Sequence, residues 1–201
     1  MSSSLSAYLL DTAATRALVG SRDDQLLDMI RTRLGDDLAR ADRSHSWEIE
    51  QGAPTAYEAL RAVVHGGPFS EGESHASQYG YAYMQLCELT GSFLPNDRFT
   101  PHRGDWLSVV DDGLESLGIT AVSVASFGYG GLPAPLPYTW IPGCGEWTPE
   151  RIAKALEQYE AAGRTPSSTL DPETAEAAEQ CLTWLHHASA NPRHGLIGFV
   201  F

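Results

Sequence analysis

Cys144 stands between Gly143 and Gly145, just ahead of Glu146 and Trp147, a setting that could present its sulfur on an open backbone. A nucleophilic cysteine needs a base or a positive field to hold it as thiolate. No basic residue is near it in sequence, and Glu146 raises a thiol pKa rather than lowering it, so the base would have to be a distant histidine. A general acid needs burial to raise its pKa, and two carboxylates are placed for that: Asp105 beside Trp106, and Glu146 beside Trp147. His75, in a polar loop ahead of a tyrosine-rich helix, could reach the same cleft. The candidate catalytic set is therefore Asp105, Cys144, Glu146 and His75.

Metal chemistry has little to stand on. His186 and His187 are adjacent on an expected helix and point about 100 degrees apart, so one is expected at the core edge and the other in solvent. His102 and Asp105 have a helical spacing, but Pro101 and Gly104 disturb the helix start. Cys87, Cys144 and Cys181 are odd in number and scattered, against both a disulfide framework and a cysteine zinc site. No metal site and no cofactor are expected. Patterns of the G-x-S-x-G, H-E-x-x-H, P-loop and EF-hand kinds are absent.

The residues that could carry function lie mostly in one stretch, 127–147, which lacks any helical or strand period and is crowded with aromatics. Its Gly128-Tyr129-Gly130-Gly131 run is no phosphate loop. Such a loop needs a helix directly after the glycines, and Leu-Pro-Ala-Pro-Leu-Pro forbids one. Two readings stay open for this irregular segment. It builds a cleft wall or partner surface, or it lies over the sheet with its aromatics plugging the core. Under the first reading the binding residues are Tyr129, Tyr138, Trp140 and Trp147, with Trp106 beside them.

The elements around it are legible from caps and periodicity. Leu5 to Leu10 reads as a first strand, and Asp11 caps a short helix to Val19. A second helix runs from Ser21 to Leu34 on the stripe Leu26, Leu27, Ile30 and Leu34, and Gly35 ends it. Residues 36–52 are polar, with Trp47 and Ile49 as anchors. Further helices are expected at 54–64, 78–90, 104–117, 148–162 and 171–190, the last two opened by Thr-Pro-Glu and Asp-Pro-Glu. Ile119 to Val124 alternates as a strand does, and Leu196 to Phe201 reads as a terminal apolar strand that a sheet must hold. Strands and helices do not alternate regularly. The expected fold is therefore α+β: a single domain over 1–201, with a small mixed sheet of three or more strands covered by about six helices.

Charge narrows the partners. There are 13 Lys plus Arg against 26 Asp plus Glu, a formal net charge of -13. Nucleic-acid binding depends on releasing counterions with basic side chains, so a surface this negative excludes it and disfavours anionic membranes. No apolar run approaches the roughly 18 residues of a membrane span. The start carries no basic residue ahead of its short apolar run, so no secretory signal is expected and the compartment is cytoplasmic. The expected role is a non-enzymatic binding or regulatory protein, of antitoxin or immunity type, for a basic protein partner. The alternative is a small-molecule-binding domain or enzyme whose pocket the 127–147 loop lines.

Over nearly its whole length the chain resembles a family of bacterial, mostly actinobacterial, proteins described as a domain of unknown function. The match is carried by Ser4-Leu5-Ser6-Ala7-Tyr8 and by Gly104-Asp105-Trp106-Leu107. It is also carried by Tyr129-Gly-Gly-Leu-Pro-Ala-Pro-Leu-Pro-Tyr138 with Gly143-Cys144-Gly145-Glu146-Trp147-Thr148. The order of elements is also faintly similar to the YfbM-like family, which implies an α+β fold. Neither resemblance implies catalytic residues.

Overall fold

The computed structural model describes residues 2–72 and 75–201. Its centre is the pairing of β2 (Leu5–Asp11) with β6 (His194–Val200), joined antiparallel along their whole length from Leu5↔Val200 to Asp11↔His194. The short β3 (Ser92–Phe93) extends the sheet beyond β2, and β5 (Gly143–Trp147) extends it beyond β6, giving the order β3-β2-β6-β5. A separate two-residue ladder joins β1 (Ser2–Ser3) to β4 (His102–Arg103). The class is α+β as expected. Every pairing among the described residues is antiparallel, where a mixed sheet was expected: the two ends of the chain enter the sheet head to tail, so no crossover connection is needed.

Side chains alternate across a strand, so the sheet feeds two cores. Leu5, Ala7, Trp147 and Leu196 face α7 (Trp106–Ser116), α8 (Pro149–Ala162) and α10 (Pro172–Ser189). Tyr8, Leu10, Cys144, Ile197 and Phe199 face α2 (Asp24–Arg33), α5 (Ala56–His65) and α6 (Ala76–Thr90). Helices on both faces explain why the final strand is apolar almost continuously rather than alternately: β6 has no solvent side.

The caps of α8 and α10 act where expected, while α2 and α5 start later than Ser21 and Pro54 suggest, with Asp23 and Thr55 as their caps. Asp23 accepts from the Leu26 amide, Thr55 and Glu58 form a reciprocal capping box, and Thr148 and Asp171 open α8 and α10 ahead of their prolines. Residues 36–52 differ from expectation, since Gly35 does not end helical structure there. α3 (Gly35–Ser44) follows at once, then α4 (Ser46–Glu50). Only Leu38 of α3 is buried and nothing in α4 is, so the apolar period is too sparse to read. Trp47 is exposed rather than an anchor. The short α1 (Thr12–Ala17) follows β2, and α9 (Pro166–Thr169) sits in the linker before α10.

Ile119 to Val124 is not a strand. Ile119, Val122 and Val124 are buried, which accounts for the strand-like alternation, but the backbone pairs with side chains instead of a neighbouring strand. Gln158 accepts from the amides of Thr120 and Ala121, and the Asp111 carboxylate accepts from Val124 (2.5 Å), Ala125 (3.1 Å) and the Ser123 hydroxyl (2.6 Å). Burial pushes the Asp111 carboxyl above its ordinary value, outweighing those three hydrogen bonds, which pull it down. Between the ordinary and the raised value the native state therefore binds more protons than the unfolded one, and this group's stabilisation is lost as pH rises through that window. Asp111→Asn leaves one of the donors facing an amide N–H₂, at a cost of about 1–3 kcal/mol. Urea melts of both proteins at about pH 4 and about pH 7 should show this penalty shrinking as pH rises. A penalty that grows with pH contradicts the burial assignment.

Candidate functional site

The glycines of the 127–147 stretch have a mechanical explanation. A 3-10 turn, Ala125–Gly128, lies directly on β5 and β6. A Cβ on Gly145 would stand 2.2 Å from the Ser126 carbonyl oxygen, and one on Gly198 would stand 2.4 Å from the Phe127 ring. Backbone thus rests on backbone. Phe127 fills the space over Gly198 and stacks on Trp147 at 4.9 Å between ring centroids. The Gly131 amide then donates to the Cys144 carbonyl and covers the outer edge of β5. Gly143–Trp147, which was expected to be irregular, is therefore the fourth strand of the sheet. Its glycines disguise it, because they suppress the usual strand signature.

A cleft of about 380 Å³ opens where this turn, β5 and the first turn of α8 meet α1. Cys144, Glu146, Arg16, Arg151, Ser126 and Thr148 line it, together with Gly130 and Gly131. Arg16 pairs with Glu146, which is nearly buried. Cys144 lies at the floor with its thiol turned into the core, 4% exposed, and burial pushes it up to about 12 with Arg16 pulling the other way. Such a thiol is a packing group, not a nucleophile. Burial also raises the thiols of Cys87 and Cys181. A thiol-reactive chromogenic disulfide should thus find no fast-reacting cysteine in the native protein and three after denaturation. One rapid equivalent, mapped to Cys144, would contradict this.

The other catalytic candidates lie elsewhere. Neither His75 nor Asp105 lines the cleft. The His75 Nδ1 hydrogen-bonds the Ser70 hydroxyl at 2.6 Å, and Asp105 is an exposed helix-start residue whose side chain caps nothing. His102 is buried with its Nδ1 on the Phe99 carbonyl (2.8 Å), while His186 and His187 are both exposed, where one was expected at the core edge. Among the described residues no group of three His, Cys, Asp or Glu side chains could hold a metal.

The aromatics divide into two sets. Trp147 belongs to the core: it is fully buried, donates its indole N–H to the Ser123 carbonyl (2.9 Å), and cannot meet a partner. Trp106 is half-buried and donates to the Arg98 carbonyl. Tyr129, Tyr138 and Trp140 are exposed, and the last two form an edge-to-face pair 5.2 Å apart. One part of the loop is therefore packed into the core and another part is exposed.

The exposed pair sits on a stiff base. Leu136 plugs the α5–α6 core, and Thr139 bridges its hydroxyl to the Ile141 carbonyl and amide. Pro142 and Thr139 rest on α6 where Gly80 leaves room; a Cβ there would come within 2.9 Å of the proline ring. Tyr138, Trp140 and Ile141 form one wall of a groove of about 610 Å³ whose other wall is Ser70, Glu71 and the start of α6. Glu71 is its only charged lining residue among those described.

Arg16 and Arg151 escape sequence reasoning. Arg16 meets Glu146 across 130 residues, and no spacing announces such a contact. No helix among the described residues is long and apolar enough to cross a membrane. No match to the chain was found among curated proteins or among solved structures. A family model does match, over residues 1–201, and its description is "Domain of unknown function (DUF7691)". With its whole length matched, the chain belongs to that family.

Proposed function

We propose that this protein is a non-enzymatic binding protein, of regulatory or immunity type, that docks a basic protein partner in the cytoplasm through Tyr138, Trp140 and Ile141. One observation carries the reading. These three side chains are 57%, 76% and 57% exposed in one short segment, yet they stand on a base anchored in the core. Leaving large apolar groups in water is unfavourable, and exposed apolar clusters rimmed by polar residues mark interaction surfaces. Tyr and Trp also supply much contact area at little entropic cost.

Charge supports the choice of partner. The chain carries -13, and the groove offers aromatic faces with Glu71 and no basic lining residue among those described. That combination suits a Lys or Arg side chain, which an aromatic face attracts and a carboxylate pairs. The catalytic alternative has less support: Cys144 is buried, and neither His75 nor Asp105 lines the cleft with it.

The test is affinity capture from source lysate with the wild type and with the Tyr138→Ala/Trp140→Ala variant, at low and at high salt. A basic protein retained by the wild type at low salt, released by salt and missed by the variant, supports the reading. Equal capture by both proteins, or none by either, removes it.

A further inference from the structure

We infer that the cleft between α1, β5 and α8 is a binding site for the oxyanion of a small molecule, a carboxylate or a phosphate monoester, held by Arg16 and Arg151. The inference is independent of the aromatic groove, which shares no lining residue with this cleft among those described.

Local charge runs against that of the whole chain. On a protein with twice as many acidic as basic residues, two arginines line one cleft whose only lining carboxylate among the described residues is Glu146. Glu146 is nearly buried and paired with Arg16, whose side chain remains half exposed. It therefore fixes one edge of the Arg16 guanidinium and leaves the other N–H groups free for a ligand. Arg151 has no side-chain partner among the described residues. It also stands in the first turn of α8, the positive end of the helix dipole, where a cation is unfavourable and an anion is favoured. An anion in the cleft lined by both arginines would offset the placement of Arg151 at the positive end of α8.

The remaining lining groups agree with this polarity. The Gly130 and Gly131 amides are used within the fold, and the Ser126 hydroxyl donates to the Ser123 carbonyl. The free donors are thus the guanidinium groups, whose fork geometry matches carboxylate and phosphate oxygens. The buried, protonated Cys144 adds no negative charge to the floor. A volume of about 380 Å³ is within the range of metabolite sites.

The experiment is isothermal titration of the full chain with sodium phosphate and, separately, sodium succinate, with ionic strength held constant by sodium chloride. Saturable binding of phosphate alone identifies a phosphate ester as the ligand class. Binding of succinate alone identifies a carboxylate, and binding of both identifies a general oxyanion site. In each case Arg151→Gln weakens binding about ten-fold or more, while Arg31→Gln, on α2 and outside the cleft, leaves it unchanged. Arg151 is exposed, so its variant keeps the wild-type melting temperature and reports on binding rather than folding. If neither anion saturates beyond the chloride control, or if Arg151→Gln and Arg31→Gln behave alike, the inference is overturned.

Discussion

Gly145→Ala lowers the melting temperature sharply, although it adds a single methyl group. The added Cβ would lie 2.2 Å from the Ser126 carbonyl oxygen and 2.7 Å from the Phe127 Cα. Both obstacles are backbone, so no rotamer change relieves the clash. The turn must lift off the sheet, and lifting it breaks the Phe127–Trp147 stack and opens the core beneath. Overpacking of this kind costs about 3 kcal/mol or more. For a chain of this size that is ~6–12 °C in melting temperature. Gly35→Ala is the matched control, because nothing lies within 4 Å of its Cβ position and it sits at the start of a helix. It leaves the transition unchanged or slightly raised. Calorimetry on the three proteins decides the matter, and coincident melts for Gly145→Ala and wild type would show that the turn does not rest on the strand.

The double replacement Tyr138→Ala/Trp140→Ala has the opposite profile: no loss of stability and a large loss of partner affinity. The pair contacts itself rather than the core, so its removal takes away little burial. An exposed Trp or Tyr that becomes buried at an interface contributes about 2 kcal/mol or more on truncation, ~30-fold in Kd for each anchor. Gly80→Leu tests the same surface from beneath. Its side chain would strike Pro142 and Thr139, tilting the wall of the groove while leaving Tyr138 and Trp140 chemically intact. Reduced affinity in both variants, with an unchanged melting temperature in the first, separates a docking role from a packing one.

Much of the fold was legible because it rests on local signals. Thr148-Pro149-Glu150 and Asp171-Pro172-Glu173 announce α8 and α10 through capping chemistry that needs no tertiary context. β6 was legible because a strand covered on both faces is apolar throughout. The misread elements are those whose partners lie far away in sequence. Ile119–Val124 alternates like a strand because it lies against a core, but its hydrogen bonds go to Asp111 and Gln158. β5 reads as loop because Gly143 and Gly145 are chosen for the backbone that crosses them. α3 and α4 bury too little to show a period.

The candidate site divides along the same line. The exposed aromatic segment was visible as an anomaly in composition, since no local element explains Tyr138 and Trp140. Burial of Cys144 and Trp147 was not visible, because the strand that carries them was hidden. The Arg16–Glu146–Arg151 cleft joins three separate elements, and such a juxtaposition exists only once the sheet has formed.

Site-specific photo-crosslinking tests the central claim most directly. A benzophenone amino acid replaces Trp140 in one protein and Trp47 in another; Trp47 is also exposed but stands on α4, outside the groove. Irradiation in source cells should give a discrete crosslink to a basic protein from position 140 and none to it from position 47. No crosslink at position 140, or the same product from both positions, would contradict the assignment of this surface as the docking site.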